Sequence, residues 1–251
     1  MFFENLELLE LRLMTLNEVV DKFVICELGM THMGIPKPLH FENNKHLFEK
    51  YLPKIVHVKK DSIPYNGYRQ CEVDNRNLLA EGYADANPFD YIIISDEDEI
   101  PSPEGIREGI RAGHECFAMR QKLYYYYVNC IAAQVWDGCM VYQKRLIPSP
   151  QWIRDRRGQG DGHIMNGGWH YSFLGSVEYI SNKLSNFSEQ QVNTPDVNNV
   201  ENIRHCMETG EDMFHRTEWY AQKHFISREE CEADHPALKE WLQKYPHNVK
   251  E

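Results

Sequence analysis

Apolar residues recur at Leu6, Leu9, Leu13 and Leu16, a spacing that predicts a helix over residues 3–19. Leu8 and Leu11 widen its apolar face, so this helix is expected to be well buried. The next apolar runs are short and rich in β-branched residues: 23–26, 55–58 and, most continuous, Tyr91-Ile92-Ile93-Ile94. Runs of that kind read as strands buried on both faces, as in a mostly parallel sheet. Between them, residues 43–51 and 68–83 carry helical patterns. A helix over 103–112 is closed by Gly113, and one over 196–208 by Gly210. Aromatic and β-branched residues predict strands at 117–120, 123–128 and 140–142. The run Arg154-Asp155-Arg156-Arg157, followed by Gly158 and Gly160, reads as a solvated surface loop, with closure over an anionic donor as the alternative. From Arg228 onward the chain is charged and helical in part, with Trp241 and Leu242 docking it. No repeat or linker interrupts the pattern. The expectation is an α/β fold over residues 1–251, one domain with a mostly parallel central sheet flanked by helices.

The strand at 91–94 runs into Ser95-Asp96-Glu97-Asp98-Glu99, and Pro101 is expected to stop the ladder there. Ligands of open α/β sheets sit beyond the carboxyl ends of the strands, where this cluster falls. Crowded carboxylates repel unless a cation or a proton relieves them. Asp96 and Asp98 flank one residue, so both can turn toward one point. Hard oxygen donors suit Mg²⁺ or Mn²⁺, which complete their shells with water and substrate phosphates. The alternative is an acidic turn leading into the helix at Pro103-Glu104. Two further features bear on the site. In Gly167-Gly168-Trp169-His170-Tyr171-Ser172, paired glycines precede an indole and an imidazole, and His170 is a candidate third ligand. Arg76, just upstream of the acidic strand, is a candidate phosphate contact. A glycine-containing loop follows Glu27, with Thr31 and His32 in it, but carries no phosphate-loop or dinucleotide fingerprint.

Composition narrows the class. The formal net charge of −11 argues against a nucleic-acid binder, whose affinity is built from neutralised phosphates. Seven cysteines lie scattered without a Cys-x-x-Cys pair, which suggests reduced thiols and a cytoplasmic protein. The beginning, Met1-Phe2-Phe3-Glu4-Asn5, lacks a basic segment and apolar core of signal-peptide type, and no stretch reaches the length of a membrane span.

Taken together, Leu8-Leu9-Glu10-Leu11-Arg12-Leu13, Val20-Asp21-Lys22-Phe23-Val24-Ile25, Ser95-Asp96-Glu97-Asp98-Glu99-Ile100-Pro101, Gly168-Trp169-His170-Tyr171-Ser172 and Gly210-Glu211-Asp212 resemble glycosyltransferase family 17. That family includes the β-1,4-mannosyl-glycoprotein N-acetylglucosaminyltransferases. The resemblance implies a GT-A-like fold, a UDP-sugar donor, a glycan or other hydroxyl acceptor, dependence on Mn²⁺ or Mg²⁺, and inversion at the anomeric carbon. Residues of about 1–115 would then form the nucleotide-sugar half and 116–251 the acceptor side. Asp98 and Asp96 would hold the metal with His170. Arg76, Arg120, Glu27 and Trp169 would contact the donor. Inversion by single displacement needs a base for the acceptor hydroxyl, and Glu189, Asp161 and Asp212 are the candidates, Glu189 first. Eukaryotic members carry an amino-terminal anchor and stem, and this sequence is expected to work without them. Two other classes compete. A phosphohydrolase with an aspartyl nucleophile expects Gly and Thr or Ser soon after the Asp-x-Asp, where this chain has Glu99-Ile100-Pro101. A non-catalytic nucleotide-sugar-binding relative would keep the fold and lose turnover.

Overall fold

In the computed structural model, residues 1–216 and 223–251 are described. Helix α1 (Leu6–Leu16) starts where the Asn5 side chain accepts the Leu8 N–H at 2.9 Å. As its pattern predicts, it is buried on two sides. Leu9, Leu13 and Leu16 pack with Phe23, Phe41, Phe48, Phe117 and Val141, whereas Leu8 and Leu11 pack with Tyr124, Trp169, Tyr171 and Trp241. Next come β1 (Phe23–Leu28), α2 (His40–Asn44), a 3₁₀ turn over Lys45–Lys54, β2 (Ile55–Lys60), α3 (Tyr68–Asn77) and α4 (Leu79–Gly82). Strands β1 and β2 form a separate parallel pair, with Phe23 opposite Ile55.

The main sheet begins at β3 (Tyr91–Ile94) and β4 (Glu99–Pro101), followed by α5 (Pro103–Arg111), capped by Ser102, and by β5 (Cys116–Tyr125) and β6 (Cys130–Gln143). After α6 (Pro150–Arg154) come β7 (Gly162–Ile164), β8 (Gly168–Ser172), α7 (Val177–Asn186), α8 (Val200–Thr209), β9 (Lys223–Phe225), α9 (Arg228–Asp234) and α10 (Leu238–Lys244). The strand order is β3-β6-β5-β8-β4, with β7 also on β5 and β9 also on β6. Strand β5 pairs parallel with β7 and β8, but antiparallel with β6. The β3–β6, β4–β8 and β6–β9 pairs are also antiparallel.

The sheet is therefore mixed, and the expectation of a mostly parallel sheet is corrected. Its centre is the β5–β6 hairpin, from which the sequence pattern revealed only fragments. Irregularities in the ladder between Met119 and Gln121 and between Lys122 and Tyr124 break the period-2 alternation that would have marked the two long strands. The ladder does end at Pro101, but in a second strand: it is the last residue of the edge strand β4, opposite Gly168, where a missing N–H is tolerated. Gly168 itself has φ +123°, and a Cβ there would lie 2.2 Å from the Ile100 carbonyl oxygen. Gly113 and Gly210, at φ +80° and +78°, end α5 and α8 as the sequence predicts.

Alternate residues of β8 face opposite sides of the sheet. Trp169 and Tyr171 point to the back, where α9 and α10 close over them with Trp241 and Leu242. His235 stacks on Trp169 at 3.7 Å between ring centroids and sits 2.7 Å from the Tyr171 hydroxyl, and Thr15 reaches its other nitrogen at 2.8 Å. Trp241 donates its indole N–H to the Glu7 carbonyl at 2.9 Å, tying α10 to α1.

Burial pushes the His235 pKa down to about 3, against a smaller upward pull from Asp234. The unfolded chain, with histidine near pH 6.5, then binds the extra proton first. Stability contributed by neutral His235 is complete above about pH 6.5 and is lost as pH falls toward 3. Urea midpoints measured from pH 7 down to pH 4 should fall, and His235→Gln should flatten that dependence; parallel profiles for the two proteins would contradict it.

Candidate functional site

The front of the sheet opens on a cleft of about 960 Å³. The acidic turn between β3 and β4 forms one wall, and Thr31 and His32 of the loop after β1 lie along it. His170 and Ser172 of β8, Leu123 and Tyr125 of β5 and Trp136 of β6 supply the sheet face, with residues of α3, α6 and α7 around the rim.

The carboxylates of the turn are held by several elements, and Arg154 of α6 is shared by Asp96 and Glu99. Arg12 of α1 supports the turn from the core: its guanidinium donates to the carbonyls of Asp96 (3.1 Å) and Glu99 (2.7 Å) and to the Ser95 hydroxyl (2.6 Å). An arginine in the leucine-rich face of α1 was the sequence signal for such a buried clamp. Asp96 meets Arg76 of α3 at 3.2 Å and Arg154 of α6 at 2.9 Å. Burial alone would raise its pKa, but Arg154 and then Arg76 outweigh that and hold it well below the carboxylate range. Glu99, 0% exposed, accepts from Arg154 at 2.7 Å and from the Trp136 indole at 2.6 Å, while its other oxygen takes the Asp96 N–H at 2.8 Å. This junction needs glycine at 138, where a Cβ would lie 2.0 Å from the Trp136 indole nitrogen and 2.1 Å from Glu99 Oε1. Glu97 takes the Phe3 N–H at 2.8 Å, and burial raises its pKa.

Asp98 is arranged differently. Lys183 of α7 approaches one oxygen at 2.9 Å, and His170 Nε2 lies 3.5 Å from the other. Burial would raise the Asp98 pKa; Lys183, followed by His170, overcomes this and keeps it ionised far below the usual range. His170 Nδ1 is buried without a hydrogen-bond partner.

The structure thus brings Asp96, Asp98, His170 and Arg76 of the sequence-derived set to one cleft, with Glu189 on its rim. Glu189 is exposed and pairs with Arg69 at 3.1 Å. The others lie elsewhere. Glu27, fully buried, accepts the N–H groups of Phe41 and Glu42 and caps α2. Arg120 forms a two-pronged pair with Asp137. Trp169 points to the back of the sheet, its indole N–H on Asp234 at 2.7 Å. Asp161 accepts the N–H groups of Glu115 and Cys116 at the start of β5. Asp212 is buried against Arg216 (2.6 Å) and Lys223 (3.4 Å), outside the cleft lining. Sequence reasoning missed Trp136 and Lys183, and favoured a solvated loop for Arg154 over its alternative of facing an anionic donor. The expected loop at Arg154 is the end of α6, which Ser149 caps by accepting the Trp152 N–H, and its guanidinium turns inward. No group of three or more His, Cys, Asp or Glu among the described residues is arranged to hold a metal ion.

The class this defines is an α/β protein with a cleft lined by interleaved acidic and basic side chains. The chain belongs to glycosyltransferase family 17, whose family model matches residues 1–236. It is similar to the β-1,4-mannosyl-glycoprotein 4-β-N-acetylglucosaminyltransferase of Homo sapiens, 29% identical over 214 residues, which are 71% of this chain and 40% of that protein. The proteins of the same name from Rattus norvegicus (29%) and Mus musculus (28%) match over the same shares. The matched region therefore spans about two fifths of the length of these curated relatives. No solved structure gives a significant match. The relatives also correct the expectation of a cytoplasmic protein. Their names specify mannosyl-glycoproteins, which are products of the secretory pathway. Six of the seven free cysteines are buried and the seventh is half-buried, so their reduced state follows from packing and does not mark a compartment. Among the described residues, no helix is long and apolar enough to cross a membrane.

Removing the Arg154 guanidinium leaves Glu99 buried without its cation. Arg154→Met should cost about 3–5 kcal/mol, whereas Arg69→Ala on the exposed rim should cost less than about 1 kcal/mol. Urea unfolding of the two variants tests this, and equal losses would contradict it.

Proposed function

We propose that this protein transfers N-acetylglucosamine from a UDP-sugar to a hydroxyl of a glycan or similar acceptor, with inversion and with a divalent cation. The observation that carries the reading is the convergence of Asp96, Asp98, Arg76, Arg154 and Lys183 on one cleft in a chain of this family.

The fit of a cation rests on the chemistry of the site. Asp96 and Asp98 offer hard oxygens, and His170 turns its Nε2 toward Asp98 at 3.5 Å. The Lys183 ammonium already stands where Asp98 would draw a cation. Water and diphosphate oxygens would have to complete the shell, because no group of three or more His, Cys, Asp or Glu among the described residues is arranged to hold a metal ion. Asp98 would hold Mn²⁺ or Mg²⁺, with Asp96 and His170 reaching it directly or through water, and the cation would supply Lewis-acid neutralisation of the leaving diphosphate.

The protein's own groups account for the remaining steps. Arg76 is fixed by Glu72 (2.9 Å) and Gln151 (2.5 Å), and Arg154 by Glu99, so both guanidinium forks are pre-oriented toward phosphate oxygens. The Trp136 ring, 4.8 Å from that of His170, offers an apolar face for a sugar ring. Glu189, the one cleft-lining member of the three base candidates, takes the acceptor hydroxyl proton. The acceptor oxygen then bonds to the anomeric carbon while the bond to the phosphate oxygen breaks, and the electron pair leaves with UDP.

The test pairs calorimetric titration of UDP, with and without Mn²⁺, with transfer assays on Asp98→Asn, which keeps the side-chain shape. Wild type should bind UDP when Mn²⁺ is present. The variant should retain its circular dichroism spectrum and lose at least about 100-fold in turnover, several kcal/mol of leaving-group stabilisation. Wild-type turnover in the variant, or no UDP binding with the metal present, would refute the reading.

A further inference from the structure

We propose that Lys183 competes with the divalent cation for Asp98 and is handed to the donor diphosphate when the cation enters, which couples metal binding to donor binding. This rests on the metal-and-donor reading above and gives Lys183 a role that reading leaves open.

The two aspartates of the turn are neutralised in different ways. Asp96 lies between two guanidiniums, each locked by further partners: Arg76 by Glu72 and Gln151, Arg154 by Glu99 and the Gly138 carbonyl. Neither arginine can leave without stranding those groups. Lys183 has a single hydrogen-bond acceptor among the described residues, Asp98 Oδ2. Its side chain is 18% exposed and lines the cleft, and its ammonium lies 5.2 Å from the centroid of the Phe173 ring. A lysine on a flexible four-carbon stem can change partners by rotating, which a forked, doubly anchored arginine cannot.

The position it occupies is the one a cation needs. Asp98 has one oxygen on Lys183 and the other 3.5 Å from His170, so a second cation can reach it only if Lys183 withdraws or tolerates like-charge repulsion. Withdrawal alone would give up the Asp98 carboxylate and leave a partly buried ammonium beside the Phe173 ring, with Glu97 and Tyr179 as its remaining electrostatic partners, a cost that opposes metal binding in the absence of nucleotide. A diphosphate in the same cleft removes that cost by accepting the displaced ammonium. Metal and donor then favour each other, and by linkage each raises the other's affinity by the same factor.

The experiment titrates Mn²⁺ alone, then Mn²⁺ with saturating UDP, into wild type, Lys183→Gln and Lys183→Arg. Calorimetry and loss of the free-Mn²⁺ paramagnetic resonance signal provide the readouts, after melting curves confirm that each variant is folded. The glutamine side chain still donates to Asp98 and keeps the site filled, and the arginine keeps the charge. An ammonium beside a carboxylate weakens its hold on another cation by about tenfold or more. Lys183→Gln should therefore bind Mn²⁺ alone about tenfold more tightly than wild type, and UDP should enhance that affinity less. Lys183→Arg should stay near wild type for Mn²⁺ alone. Unchanged or weaker Mn²⁺ binding by Lys183→Gln, or none by either protein, would overturn the proposal. Tighter Mn²⁺ binding by Lys183→Gln with no UDP binding by any of the proteins supports competition at Asp98, but overturns the handover and sinks the donor reading, so the two failures are distinguishable.

Discussion

Burying the acidic turn between β3 and β4 requires compensation, and this requirement organises the molecule. Asp96, Glu97, Asp98 and Glu99 follow one another where solvent is scarce, and an unpaired buried carboxylate is among the costliest groups a fold can hold. The compensating groups come from elements far apart in sequence: Arg12 from α1, Arg76 from α3, Arg154 from α6 and Lys183 from α7. Each pairing fixes the position of one helix relative to the end of β3. The cleft follows from this arrangement, because three of these cations, Arg76, Arg154 and Lys183, also line it.

The same logic separates the two faces of the sheet. Behind it, Trp169, Tyr171, His235 and Trp241 form a dry, stacked layer whose polar tips are satisfied locally, and this layer holds α9 and α10 in place. In front, His170 and Ser172 of the same strand face the cleft. On this front face the buried Nδ1 of His170 has no hydrogen-bond partner. Stability and chemistry are thus divided between alternate residues of β8, and β5 divides the same way, with Tyr124 behind and Leu123 and Tyr125 in front.

What could be seen in the sequence was local. The buried run at Tyr91 to Ile94, the carboxylates after it, the doubly apolar α1, the glycine stops at 113 and 210 and the docking of Trp241 all follow from period, propensity or a backbone requirement within a few residues. The choice among chemically plausible partners was not visible. Trp169 was an attractive sugar contact by type, yet the β4–β8 register turns it to the back, and Trp136, from the part of β6 that the pattern did not reveal, lines the cleft instead. Asp161, Asp212, Glu27 and Arg120 are polar residues of the right kind whose partners are structural.

The sequence by itself determined that this chain is α/β, that an Asp-x-Asp turn ends a buried strand, and that it carries the motifs of its family, because those features are written in neighbouring residues. The tertiary structure alone decided that the sheet is mixed, that Arg154 belongs to the site, and that Lys183 stands against Asp98. Those outcomes depend on strand register and on pairings that span 55 residues for Arg154 and Glu99 and 85 for Lys183 and Asp98. Charges separated by that much chain meet only once the folded core has set the distance between them.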